Sequence, residues 1–254
     1  MEEKKDTIYA GHMDKVSGFV FDNTVADVFP DMIRRSVPGY ETIVNMTGIM
    51  TAKFARPGTY CYDLGCSLGA STLSVCRRAD MKEFSVVAVD NSPAMISRAK
   101  KNLRRHGFAE NVHFICEDIN RICIQNASAV IMNFTLQFIN PSQRSDLVNR
   151  ICAGMIPGGI MILSEKIEFS DSELQSLHTE LHHTFKRLHG YSDLEISRKR
   201  AALEDVLVTE TVQTHLKRLR TAGFSSCEVW FQCLNFASII AIKDARPIKT
   251  AGSG

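Results

Sequence analysis

The sequence predicts an α/β chain built on a doubly wound, seven-stranded, mostly parallel sheet. It adds N-terminal helices and a helical insertion before the last two strands. Three observations predict this. Short β-rich runs alternate with amphipathic stretches from residue 59 to 164, the signature of successive βαβ units. Glycine and short polar residues gather where those runs end. A purely helical stretch then precedes two closing apolar runs.

Each element has its own justification. Thr24–Val37 carries Val25, Val28, Phe29, Met32 and Ile33 at helical spacing. Pro30 interrupts it, so one broken helix or two short ones is expected. Tyr40–Phe54 is a second amphipathic stretch, ended by the PGT at 57–59. Strands are expected at Thr59–Leu64, Phe84–Val89, Val112–Cys116, Ala129–Asn133 and Ile160–Ser164. Helices are expected at Ala70–Arg78, Pro93–His106 and Pro141–Met155. The two that open on proline have it where helix starts favour it. The PGG at 157–159 stops the last of them. Asp171–Leu188, Asp193–Val206 and Glu210–Ala222 read as helices, a candidate cover for the site. Cys227–Phe231 and Ala237–Ile242 form a terminal strand pair, with Gln232–Phe236 between them. Residues 1–23 read as a poorly regular arm, 24–243 as one ligand-binding domain including the cover at 171–222, and 244–254 as a tail.

Composition narrows the function classes. The chain has 254 residues, 44% hydrophobic and 23% charged, ordinary for a globular protein with a sizeable core. Its 30 basic and 28 acidic residues leave a formal charge of +2. That balance disfavours direct grip on a nucleic-acid backbone. No run approaches the roughly 20 apolar residues of a membrane span, and the start MEEKKDTIYAG has no signal core. A cytoplasmic, reducing location is expected. None of the eight cysteines forms a C-x-x-C pair, and several sit in apolar runs where a thiol acts as a small hydrophobe, so no metal site is expected.

In open α/β sheets ligands bind beyond the carboxyl ends of the strands. Four such ends are polar here. Asp63-Leu-Gly-Cys-Ser-Leu-Gly69 offers Gly65 for close backbone approach and Asp63 as an acceptor. Asp90-Asn91 ends the second strand about 20 residues beyond the glycines, where an acid holds ribose hydroxyls. Around Asp118-Ile119, a carboxylate can accept from an exocyclic amine and an aliphatic side chain can pack on a ring. Asn133 ends the AVIMN strand. Each also has a plainer reading, as a tight turn or, at Asp90–Pro93, a helix cap. Together they point to a nucleoside. The loop lacks the P-loop pattern, and Ser67 stands where a dinucleotide fingerprint needs its second glycine. Adenosine without phosphates is favoured. His178 and His182 sit four apart on an expected helix, but no H-E-x-x-H or nearby cysteine supports a metal. Cys66 has no histidine beside it in the sequence and reads as a backbone contact, not a nucleophile.

The loop, the acid after the second strand and the E-D-I stretch resemble class I S-adenosylmethionine-dependent methyltransferases. FPDMIRRSVPGY (29–40), YDLGCSLGAST (62–72), DNSPAMI (90–96), NFTLQF (133–138), LSEK (163–166), HHTFKRLHGYSDLEISRKR (182–200) and WFQCLNF (230–236) further resemble the carboxy-S-adenosyl-L-methionine synthase family, from about Asp6 to Lys243. The resemblance implies a Rossmann-like fold that turns S-adenosyl-L-methionine, as substrate, into carboxy-S-adenosyl-L-methionine. Prephenate would be the carboxyl donor and phenylpyruvate the by-product. The product would serve a separate enzyme that modifies the tRNA wobble uridine. The resemblance also implies a homodimer.

By motif position it implies ligand contacts at Tyr40, Gly65, Cys66, Ser67, Asp90, Asn91, Asp118, Ile119, Asn133 and Arg200. Arg200 is the residue expected to act in catalysis, since a guanidinium can clamp a carboxylate through two parallel hydrogen bonds. On sequence alone the run Arg198-Lys199-Arg200 reads first as a solvated helix face. Two other classes stay open: a methyltransferase acting on a small molecule or tRNA, and a non-catalytic nucleoside-binding regulator.

Overall fold

The computed structural model describes residues 4–11, 18–204 and 206–245. Most of the expected tail, 246–254, lies outside the described residues, as do 1–3 and 12–17 of the expected arm. Two N-terminal helices, α1 (Asn23–Ser36) and α2 (Tyr40–Phe54), lead into β1 (Tyr60–Leu64), α3 (Ala70–Cys76), β2 (Ser85–Asp90), α4 (Pro93–Arg105) and β3 (Val112–Cys116). Next come β4 (Ala127–Asn133), α5 (Pro141–Gly154), β5 (Met155–Lys166), α6 (Ser172–Leu188), α7 (Asp193–Leu203), α8 (Val212–Thr221), β6 (Phe224–Cys233) and β7 (Phe236–Lys243).

The seven strands lie in the order β3-β2-β1-β4-β5-β7-β6. β1 through β5 pair in parallel, and β7 runs antiparallel to both β5 and β6. The order reverses between β1 and β4, so the crevice beyond their carboxyl ends is where a ligand belongs. The expected sheet is thus present, and its inner strands β1, β2 and β4 are buried on both faces because helices cover both. Leu73, Val75, Ile96 and Leu103 pack on one face beside α2. Leu147, Val148, Ile151 and Leu219, from α5 and α8, pack on the other.

Caps fix where the helices begin. Ser92 accepts from Met95 N before Pro93, and Asn140 from Ser142 N before Pro141. Ser192 and Glu195 make a reciprocal capping box at α7.

Three expectations are corrected. Pro30 does not break α1: the helix is continuous, because Val25, Ala26, Val28 and Met32 bury on both sides of it. That packing outweighs the one backbone hydrogen bond a proline removes. The PGG at 157–159 lies inside β5 rather than before it. Met155 pairs with Ala127 and Ile160 with Ala129, so the intervening residues bulge out of the strand. The closing strands are longer than expected, and only Leu234 and Asn235 separate the Cys233–Phe236 pair. Leu234 takes the left-handed conformation the turn requires (φ 51°).

The N-terminal segment is anchored. Asp6 is buried, donates its backbone N–H to Asp31 at 2.7 Å and accepts a short hydrogen bond from the Tyr191 hydroxyl. Lys199 Nζ lies 3.4 Å from the same carboxylate and 3.0 Å from Ser36 Oγ. The basic run at 198–200 is therefore no solvated face. Lys199 is buried, Arg198 donates to the carbonyls of Tyr9 and Gly11, and only Arg200 is exposed.

Two buried histidines make the fold acid-sensitive. Burial above all pushes His182 down to about 3 and His215 down to about 4. Both would bind protons near pH 6.5 once unfolded. Their folded values are depressed, so their stabilisation is complete above about pH 6.5 and is lost as pH falls toward 4. Urea midpoints measured across that window should fall with pH, and less steeply in His215→Gln.

Candidate active site

The loop after β1 is held by the neighbouring strand. Gly65 N and Cys66 N both donate to Val89 O, at 2.8 and 2.9 Å. Gly65 has φ +80°, and a Cβ there would stand 2.2 Å from Thr135 Oγ1. Glycine is required both by the backbone and by the close approach of the β4 loop. Ser67 takes φ 49° and donates its N–H to Asp90 Oδ2 at 2.9 Å. Asp90 Oδ1 accepts from Ser92 N at 2.9 Å. The carboxylate therefore braces the loop and the start of α4 together. Burial raises its pKa, opposed by those two N–H donors.

Asp63 is not an open acceptor. It is buried in β1 and accepts the Thr72 hydroxyl of α3 at 2.6 Å. Burial pushes it up to about 6. Cys66 is likewise sealed, and burial drives its thiol well above the ordinary value, with Asp63 and Asp90 adding to the effect. A thiol so disposed is a poor nucleophile, which agrees with its reading as a backbone contact.

The other strand ends converge on the same edge. Asn91 is exposed beside Asp90. Glu117 N donates to Asp90 O at 3.1 Å, bringing the β3 end alongside. Asp118 caps a single helical turn by accepting Asn120 N at 2.8 Å, and Ile119 is buried next to it. Asn133 is fully engaged. Its Nδ2 donates to Ser71 at 2.9 Å and Thr47 at 3.3 Å, and its Oδ1 accepts Ser164 Oγ at 2.6 Å. Ser164 meets Ser238 at 2.8 Å.

Tyr40, at the start of α2, lies 6.2 Å from Phe134, which lies 6.1 Å from Phe236, and His182 sits edge-on to Phe236 at 5.0 Å. An aromatic wall thus runs from the loop toward α6. Gly65, Cys66, Ser67, Asp90, Asn91, Asp118, Ile119 and Asn133 lie at the carboxyl ends of β1 to β4, and Tyr40 reaches that edge beside Phe134.

Arg200 arrives separately, on α7. It has no hydrogen bond or ion pair among the described residues. Its charge bears on Lys166, at the end of β5, and on His183 of α6. His178 and His182 do not face a common centre. His178 stacks on Phe169 at 4.2 Å, whereas His182 Nε2–H donates to Ser36 O at 2.8 Å. Of the expected cover, α6 and α7 contact each other and α6 contacts α1, whereas α8 packs on α5 and β6.

Sequence reading missed Thr135, Phe134, Lys166 and Lys186. All four lie in stretches that carry the family resemblance. A positive φ at Phe134 (59°) marks the sharp exit from β4, a backbone feature no residue type announces.

The fold and this crevice define the class: an S-adenosylmethionine-dependent methyltransferase fold, with a methyltransferase-domain family model matching residues 62–159. An O-methyltransferase family protein from Burkholderia thailandensis superposes with a TM-score of 0.64 at 17% identity, over 89% of this chain and 61% of its own. A putative S-adenosyl-L-methionine-dependent methyltransferase from Methanococcus maripaludis gives 0.58 at 20% identity, over 94% of this chain and 100% of its own. Sequence relatives are more specific. Carboxy-S-adenosyl-L-methionine synthase of Trichlorobacter lovleyi is 56% identical over 244 residues, covering 96% of this chain and 100% of that protein. The Vibrio cholerae serotype O1 protein of the same name is 52% identical over 239 residues, 94% of this chain and 97% of that protein. The chain belongs to the carboxy-S-adenosyl-L-methionine synthase family.

Proposed function

We propose that this enzyme converts S-adenosyl-L-methionine to carboxy-S-adenosyl-L-methionine, taking the carboxyl group from prephenate and releasing phenylpyruvate and water. The observation that carries this reading is the Arg200 guanidinium, exposed on α7 without a hydrogen bond or ion pair among the described residues and with its charge bearing on Lys166 and His183. A plain methyl donor has no carboxylate at its sulfonium end for such a group to hold.

In this reading Asp90 and Asn91 hold the ribose, Asp118 accepts from the adenine amine and Ile119 packs on its ring. Gly65, Cys66 and Ser67 supply backbone to the amino-acid end. Asn133 and Tyr40 flank the sulfonium, and Arg200 clamps the new carboxylate. Ring aromatisation of prephenate expels hydroxide and carbon dioxide. Hydroxide takes a proton from the sulfonium methyl, leaving water, and the ylide carbon bonds the carbon dioxide. The protein then supplies position and exclusion of bulk water rather than a side-chain base. The sealed Cys66 and the committed Asp63 fit that division of labour.

The product would supply the carboxymethyl donor for tRNA wobble uridine modification by another enzyme, with no direct nucleic-acid contact here. The enzyme would act in the cytoplasm, and no helix among the described residues is long and apolar enough to cross a membrane. A homodimer is supported by the exposed leucines of α6, Leu174, Leu177, Leu181 and Leu188. Residues 24–243 form one substrate-binding unit, with 1–23 as its arm and 244–254 as its tail.

Arg200→Ala tests the assignment. Its preference for carboxylated over uncarboxylated ligand should fall by about tenfold to hundredfold, the worth of a charge-assisted pair. Affinity for S-adenosylmethionine should change by less than about twofold. Titration calorimetry with both ligands reads this directly. An unchanged preference would return the methyltransferase reading to first place.

A further inference from the structure

A second cluster, toward α6, has charge and no counter-charge among the described residues. Lys186, on α6, is 9% exposed, and its side chain makes no hydrogen bond or ion pair among the described residues. Its Nζ keeps some accessible surface rather than being wholly sealed. Buried ammonium groups are ordinarily paired, because desolvation of an unpaired charge is costly. The charges that bear on Lys186 are Lys199 and Lys166. Those that bear on half-buried His183 are Lys186, Arg200, Arg187 and Lys166. Every one is positive. Asp6, the carboxylate paired with Lys199, is also committed to Tyr191.

The placement is specific. Lys166 is paired in register with Phe236, whose ring closes the aromatic wall against His182. His182 is neutral and lies one turn before Lys186 on the same helix. The wall therefore has the nucleoside loop at one end and the lysines at the other.

We propose that Lys166 and Lys186, with His183 beside them, form the pocket for the pyruvyl carboxylate of the second substrate, a small dicarboxylate. This rests on the prephenate reading above. The chemistry of the two carboxylates separates them. One leaves as neutral carbon dioxide, so an ion pair held to it would stabilise the ground state and oppose the reaction. The apolar wall of Phe134 and Phe236 suits that group. The other carboxylate persists into phenylpyruvate, and cations can hold it throughout. The lysines thus fix the second substrate's orientation, placing its departing carboxylate along the apolar wall toward the sulfonium methyl.

The test uses Lys186→Met and Lys166→Gln in the full chain. Each should raise KM for prephenate and the inhibition constant of phenylpyruvate in parallel, by about tenfold to hundredfold. The dissociation constant for S-adenosylmethionine should move by less than about twofold. Ligand-free Lys186→Met should also melt at or above the wild-type temperature, because it removes an uncompensated charge. A lysine with a merely structural role would lower it. Unchanged phenylpyruvate inhibition in both variants would overturn the pocket. Wild-type protein that leaves prephenate untouched would overturn the functional reading instead. Phenylpyruvate titration would then still decide the pocket, since it needs no turnover.

Discussion

Gly65→Ala is expected to weaken nucleoside binding severely. Two costs combine. The residue sits at φ +80°, where an L side chain is strained by about 1–2 kcal/mol. Its Cβ would also stand 2.2 Å from Thr135 Oγ1 and 2.5 Å from Thr135 Cγ2. Thr135 cannot simply step aside. Its hydroxyl donates to Asn133 O at 3.3 Å, and the turn that follows is pinned by Glu165, which accepts Leu136 N at 2.8 Å and Gln137 N at 3.0 Å. The loop must move instead, breaking the Gly65 and Cys66 bonds to Val89. Affinity for S-adenosylmethionine should fall on the order of a hundredfold, measured by calorimetry. Gly58→Ala is the matched control. It has φ +71° but open space around its Cβ, so it should cost about 1 kcal/mol of stability and leave binding intact.

Arg144→Met should cost the most stability. Arg144 is fully buried, and its guanidinium donates to Ile139 O at 2.9 Å, Val208 O at 2.9 Å, Gln137 O at 3.2 Å and Glu210 Oε2 at 2.6 Å. It ties α5 to the turn after β4 and to the segment entering α8. Glu210 also takes a short bond from Arg218. Burial alone would raise the Glu210 carboxyl, but the bonds from Arg218 and Arg144 outweigh it and hold it below its ordinary value. Removing Arg144 orphans the carbonyls of Ile139 and Val208, leaves Gln137 O only its bond from Val208 N and leaves Glu210 half paired. A loss of about 3–5 kcal/mol is expected, a large share of the roughly 5–15 kcal/mol of a typical domain. Lysine should rescue little, since its three donors cannot reproduce the planar fork. Denaturant midpoints of R144M and R144K check both statements.

The sequence made the sheet legible because its strands are short, apolar and separated by strong stop signals. It made the crevice legible because glycine and acid residues recur at successive strand ends. Other features stayed hidden for physical reasons. Arg144 bonds backbone carbonyls, which carry no residue identity, from segments distant in sequence. Pro30 looked like a break because its cost is local whereas the packing that tolerates it is tertiary. Asp6 lay in a polar stretch whose anchoring partners, Tyr191 and Lys199, come nearly 200 residues later. Lys186 stood inside HHTFKRLHG as one more helix cation. Only burial without an acceptor distinguishes it.

The central claim is the transfer of a carboxyl group from prephenate to a sulfonium methyl. The most direct test supplies prephenate labelled with carbon-13 in its ring carboxylate, together with unlabelled S-adenosylmethionine. The released nucleoside is then weighed by mass spectrometry. The account predicts a product with the mass of S-adenosylmethionine plus labelled carbon dioxide, formed in step with unlabelled phenylpyruvate. S-adenosylmethionine recovered unchanged, or a carboxylated product without the label, would contradict it.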